Sequence, residues 1–160
     1  MPSFTVLGEP RGKGRPRFTK AGIAYTDSET KAYEERVRLA YRAATRGVAP
    51  IRAGVPVKVY ITAYYPIPNP KSITKREQYD IASGRTLPTK KPDCDNVLKI
   101  ICDALNPVVD KRTGATVFAG AYADDAQVTD SYARKRYSDR PRVEVVIEPV
   151  ETETREERYA

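Results

Sequence analysis

VPVKVYITAYY, residues 55–65, alternates so that Val57, Val59, Ile61, Ala63 and Tyr65 fall on one side of an extended chain. A period of two marks a strand with one buried face, and Pro66, Pro68 and Pro70 stop it. RVEVVIEPV, residues 142–150, repeats the pattern with Val143, Val145 and Ile147 inward. Residues 128–137 read as a further strand, and SFTVL, residues 3–7, as a short one running into Gly8 and Pro10. Upstream of residue 55 the period changes. Tyr33, Val37, Tyr41 and Ala44 recur at helical spacing, with Asp27 or Ser28 as the cap and Gly47 and Pro50 as the stop. Strand, helix, strand, long basic loop, helix, hairpin and two strands predict a single α/β domain over residues 1–150, a mixed β-sheet covered by helices. ETETREERYA, residues 151–160, has no apolar periodicity and is expected to fray.

The 160 residues are 40% hydrophobic, enough for one core. Lys and Arg number 28 against 21 Asp and Glu, a formal charge of +7. That balance favours a polyanionic partner, of which nucleic acid is the commonest. No apolar run reaches about 18 residues and no helix has a strongly basic face, so no membrane partner is expected. Neither a signal peptide nor a disulfide framework is legible around Cys94 and Cys102, which points to the cytoplasm. The chain has no histidine. Ser-His-Asp triads, histidine acid/base chemistry and most zinc sites are thereby excluded.

Two loops carry the positive charge. GEPRGKGRPRFTKAG opens a segment, about residues 8–24, in which glycines permit tight turns and Arg11, Lys13, Arg15, Arg17 and Lys20 project charge. In residues 66–92, Lys71, Lys75, Arg76, Arg85, Lys90 and Lys91 outnumber Glu77 and Asp80, and SITKREQYDIAS is expected to form one short helix. Both loops are expected to be mobile and to grip phosphates, giving salt-dependent affinity but no sequence choice.

Into this basic chain is set KKPDCDNVLKIICDAL, residues 90–105. Asp95 is placed to cap a helix from Asn96 to about Leu105, with Val97, Leu98, Ile101 and Leu105 on its apolar face and Cys102 at the margin. Asn96, Lys99 and Asp103 share the opposite face. Asp93 and Asp95, at i and i+2 of an extended segment, should point the same way. Asp124 and Asp125 arrive from a separate element. Converging carboxylates repel one another unless a cation lies between them, and oxygen-only donors suit Mg²⁺ or Mn²⁺. Such an arrangement fits phosphodiester hydrolysis, with Lys99 neutralising charge on the phosphate. The plainer alternative makes Asp95 a helix cap, Lys99 and Asp103 an i,i+4 pair, and Asp124 and Asp125 a turn. Cys94 and Cys102 lack a base partner and are read as filler.

KKPDCDNVLKIICDAL followed by DDAQV resembles the signature of the RusA family of Holliday-junction resolvases of bacteria, phages and prophages, and GEPRGKGRPRF resembles the opening of many phage-type members. The resemblance covers about residues 4–150. It implies a homodimeric, Mg²⁺-dependent endonuclease that resolves four-way DNA junctions by paired, near-symmetric nicks in a bacterial or phage-infected cell, with Mn²⁺ able to substitute and no small-molecule cofactor. By motif it places the essential carboxylates at Asp93, Asp95 and Asp125 and the essential lysine at Lys99. Asp124 is then a supporting acid and Asp103 a common one of less defined role. The rivals are a nuclease for flaps, forks or other branched DNA, and a non-catalytic junction-binding architectural protein. Residues 107–123 depart from the family pattern, in which DAL leads almost directly to the acidic pair; they are expected to form an elaborated hairpin.

Overall fold

A computed structural model describes residues 3–152. Its elements run β1 (Ser3–Leu7), β2 (Arg17–Phe18), β3 (Ala24–Tyr25), α1 (Ser28–Thr45), β4 (Val57–Pro66), α2 (Lys75–Ala82), α3 (Cys94–Ala104), β5 (Val108–Val109), β6 (Thr116–Phe118), β7 (Val128–Ser138) and β8 (Arg142–Pro149). Four strands form the main sheet in the order β1-β8-β4-β7. β4 runs antiparallel to β8, with Tyr60 opposite Val146, and parallel to β7, with Tyr65 opposite Tyr137. A parallel pair needs a crossover, and α3 supplies it. The sheet is therefore mixed, in the single helix-covered α/β domain that the sequence pattern implies.

The alternation along β4 holds: Val57, Val59, Ile61, Ala63 and Tyr65 are all buried. Val143, Val145 and Ile147 of β8 and Phe4 and Val6 of β1 continue this inner face. α1 closes it with Tyr33, Val37 and Tyr41. Ala44, expected inward, is exposed and Thr45 is buried instead, its hydroxyl donating to the Tyr41 carbonyl at 2.7 Å. A threonine can be buried at a helix end because it finds its acceptor one turn back. Phe4, Tyr41 and Phe118 meet edge to face at 5.6 and 6.0 Å, which ties β1, α1 and β6 together.

α3 differs from expectation at its start. Asp93, not Asp95, is the N-cap, and Asp95 lies in the first turn. The Val97 N–H donates to the Asp93 carbonyl at 3.1 Å, so the helix begins two residues earlier. Asp93 and Asp95 consequently do not share one side of an extended segment. Val97, Ile101 and Leu105 are buried as expected, Ile100 and Ala104 join them unforeseen, and Leu98 is half-buried against the core.

Residues 66–92 contain a 3-10 turn at Pro70–Ser72 and then α2, whose Thr74 and Glu77 form a reciprocal capping box. Residues 107–123 form the expected hairpin, β5 against β6, and bury Phe118, Ala121 and Tyr122. No helix among the described residues is long and apolar enough to cross a membrane. Most of the tail expected to fray, residues 153–160, lies outside the described residues.

Candidate functional site

The crossover decides where the acids go. α3 starts beyond the C-terminal end of β4 and returns alongside the sheet, so Asp93 and Asp95 stand at one end of the helix and Asp103 near the other. Eight residues of helix separate Asp95 from Asp103, about 12 Å of rise. Lys99 lies midway and exposed, one turn from each. Asp93 caps by its backbone alone, since its carboxylate makes no capping hydrogen bond. Asp95, in the first turn, faces the positive end of the helix dipole.

At the far end, Asp103 meets Asp124 and Asp125. Asp125 lies in a 3-10 turn, Asp125–Gln127, that precedes β7. Asn106 grips it at two points: its Oδ1 accepts from the Asp125 N–H at 2.9 Å, and its Nδ2 donates to Asp125 Oδ2 at 3.1 Å. Gln127 fixes Asp124. Its Oε1 accepts from the Ala123 and Asp124 N–H groups at 2.9 and 3.0 Å, while its Nε2 donates to the carbonyls of Arg52 and Val55 at 2.8 and 3.0 Å. Burial pushes the Asp125 carboxyl above the ordinary carboxylate range; the Asn106 amide opposes this, and the neighbouring Asp103 and Asp124 reinforce it.

Lys13 is the cation nearest this group. Its ammonium lies 2.5 Å from Glu34 of α1 and 3.2 Å from Asp103 of α3. Its N–H donates to the Asn96 carbonyl at 3.1 Å, so the Gly12–Lys13–Gly14 segment crosses both helices. A Cβ on Gly14 would come within 2.5 Å of Asp27 Oδ2 and 2.7 Å of Thr30 Oγ1, the capping pair of α1. Glycine is needed there for close approach. The plain pairing of Lys99 with Asp103 is not formed, because Asp103 pairs with Lys13 from the distant loop.

The other expected DNA contacts lie as follows. Arg11 bonds Glu29 at 2.5 Å and is half-buried. Arg15, Arg17 and Lys20 are exposed, as are Lys71, Lys75, Arg76, Lys90 and Lys91. Arg85 is exposed as well, with its guanidinium over the Tyr79 ring. Lys135, which the sequence did not single out, lies 4.7 Å over the Tyr65 ring and bonds the Lys90 carbonyl. Burial pushes the Cys102 thiol up to about 11, so it stays protonated near neutrality. Asp110 belongs to the hairpin turn, where its carboxylate accepts from the Arg112 N–H.

Among the described residues, no group of three or more His, Cys, Asp or Glu side chains is arranged as a ready metal cage. The expected acids form two groups, one at each end of α3. Asn106 and Gln127 are the site residues that sequence reasoning passed over. Both stood in the signature, next to DAL and inside DDAQV, but side-chain roles for amides become legible only once their partners are placed.

The family model described as Endodeoxyribonuclease RusA matches residues 8–148. The chain is also 35% identical over 148 residues to a protein of Bacillus subtilis (strain 168) named "Uncharacterized protein YqaN", covering 92% of this chain and 95% of that one.

Proposed function

The chain belongs to the RusA endodeoxyribonuclease family, and from that membership we propose that it is a Mg²⁺-dependent, structure-specific DNA endonuclease resolving four-way junctions as a homodimer. The observation that carries this reading is the extent of the match. Residues 8–148 take in both basic loops, the five candidate aspartates Asp93, Asp95, Asp103, Asp124 and Asp125, and Lys99.

The donors fit a hard divalent cation in kind. Asp103, Asp124 and Asp125 offer only oxygens, and crowding with burial already holds the Asp125 carboxyl up, a strain that a cation relieves. Asp125 with Asp103 and Asp124 would hold Mg²⁺ in one group, with Mn²⁺ able to replace it, while Asp93 and Asp95, the other carboxylates of the family motif, stand at the opposite end of α3. When bound, the ion supplies charge neutralisation at the phosphoryl oxygens and lowers the pKa of attacking water. Asn106 keeps the Asp125 carboxylate oriented, while Gln127 holds the Asp124 backbone and the Ala126 N–H donates to the Asp124 carboxylate. Lys99 offers a cation midway along α3 to a phosphate lying on that helix. The exposed lysines and arginines of the two loops hold the flanking phosphates. In a C₂ dimer two such sites address related strands, which accounts for paired nicks.

The test is incubation of wild type and Asp95→Asn with a mobile four-way junction in Mg²⁺, beside linear duplex and fork controls, with nick positions mapped. Wild type is expected to cut the junction at paired positions, and Asp95→Asn to bind it without cutting. Binding by wild type with no cutting in Mg²⁺ or Mn²⁺ would replace this reading with an architectural one. Preferential cutting of forks would move it to a general branched-DNA nuclease.

A further inference from the structure

A cleft of about 310 Å³ opens beyond the C-terminal ends of β4 and β7, where the parallel pair of the main sheet stops. Open α/β sheets bind ligands at that edge. The strand register places Tyr65 beside Tyr137 at the floor. Pro66, Pro88, Pro92 and Ile67 add flat apolar walls. The Tyr65 hydroxyl donates to the Pro92 carbonyl at 2.6 Å, so the wall nearest Asp93 is held rigid. Lys90 and Lys91 line the mouth, and Lys135 stands over Tyr65.

The chemistry narrows the occupant. Small-molecule pockets run from roughly 300 to 1,000 Å³, so this cleft takes one planar ring and is too small for a helix or a duplex. The proline surfaces and the Tyr137 ring suit the face of an aromatic ring, Tyr65 being buried beneath Lys135, while the lysines of the lining suit an anion attached to it. A ring with a phosphate beside it is a nucleotide. Glu9, the acidic member of the lining, offers an acceptor to an exocyclic amine. The cleft also shares Lys91 and Pro92 with the groove that runs past Gly12, Lys13, Asp93 and Asn96. A strand with one phosphate at Asp93 therefore carries its neighbouring nucleotide to the mouth.

We propose that this cleft takes a single unstacked nucleobase from the bound DNA strand, with the adjoining phosphate held by Lys90 and Lys91. The inference rests on the nuclease reading above and adds a reason for preferring branched DNA. A base must leave its stack to enter, and that costs least where pairing is already interrupted, as at a crossover.

The experiment is an abasic scan. Four-way junctions carrying one abasic residue, stepped through the positions around the crossover, are bound and nicked by wild type, Ile67→Glu and Tyr137→Ala, each checked by thermal melt. Wild type is expected to lose roughly tenfold in affinity at one position flanking the nick. In Ile67→Glu, which puts a charge into the wall from a position 41% exposed, the intact junction should bind as weakly as that abasic one, with no further loss on removing the base. Equal binding and nicking of every abasic junction by wild type would overturn the base pocket and leave the nuclease standing. Failure of wild type to bind or cut any junction would remove the nuclease reading and this inference with it. Because the scan on wild type needs no variant, a misfolded mutant does not rescue the idea.

Discussion

Asn106 shows how a neutral side chain can organise charged ones. Its amide meets both the N–H and the carboxylate of Asp125, and it is the group that opposes the upward push on that carboxyl. Asn106→Ala is expected to cost about 2 kcal/mol in denaturant unfolding, from two lost bonds at a part-buried site. Junction nicking should fall roughly 10- to 100-fold, as for groups that orient metal ligands. Unchanged nicking would mean that Asp125 needs no such hold. Lys13 makes a different prediction. Burial pulls its ammonium down, but the bond to Glu34 and the charges of Glu34 and Asp103 outweigh this and raise its pKa above 10.5. A raised folded pKa stabilises fully below the ordinary lysine value and is lost as pH rises through the raised one. Lys13→Met should therefore be less stable than wild type by about 1 kcal/mol at pH 7. In unfolding curves the gap should close only above pH 10.5. A gap that stays constant with pH would assign the loss to the side-chain stem instead.

The elements differ in how openly their sequences declare them. β4 and β8 alternate cleanly because one face meets helices and the other does not, and their inward residues were legible position by position. α3 was legible as a helix with Val97, Ile101 and Leu105 inward, but not in its starting residue. Both Asp93 and Asp95 are competent caps, and the helix starts at Cys94 with Asp93 in that place. Residues 8–24 read as a charged loop, whereas Gly12–Lys13–Gly14 runs closely across two helices. Gly14→Ala tests that contact. Its methyl group would collide with the Asp27–Thr30 cap of α1, so a loss of about 1–3 kcal/mol in chemical denaturation is expected. Ala at a merely flexible loop position would leave stability unchanged or slightly raised.

Considered as a whole, the protein sets an acidic helix within a basic surface. The exposed cations lie on the two loops, and the aspartates stand in two groups along α3. Arg11 and Lys13 are already committed to Glu29, Glu34 and Asp103, so the loop cations left for phosphates are the exposed ones. Four-way-junction affinity, measured by titration at several salt concentrations, is expected to fall roughly a thousandfold between about 50 and 200 mM salt. Lys75→Ala should reduce the log–log slope by about one unit. A salt-insensitive affinity would mean that the loops do not meet the backbone.

Composition and local pattern were enough for the α/β class, the buried faces of the strands, the absence of histidine chemistry and the motif that marks the family, because each depends on residues close together in the chain. Where the acids stand depended on the crossover. A helix that leaves one end of a parallel strand pair and returns to the other must carry Asp95 and Asp103 apart, and must deliver Asp103 to Asp125 from the far side of a hairpin. The partnerships of Lys13 with Asp103 and of Asn106 with Asp125 join segments that no local pattern relates, and so they became fixed only when the chain closed on itself.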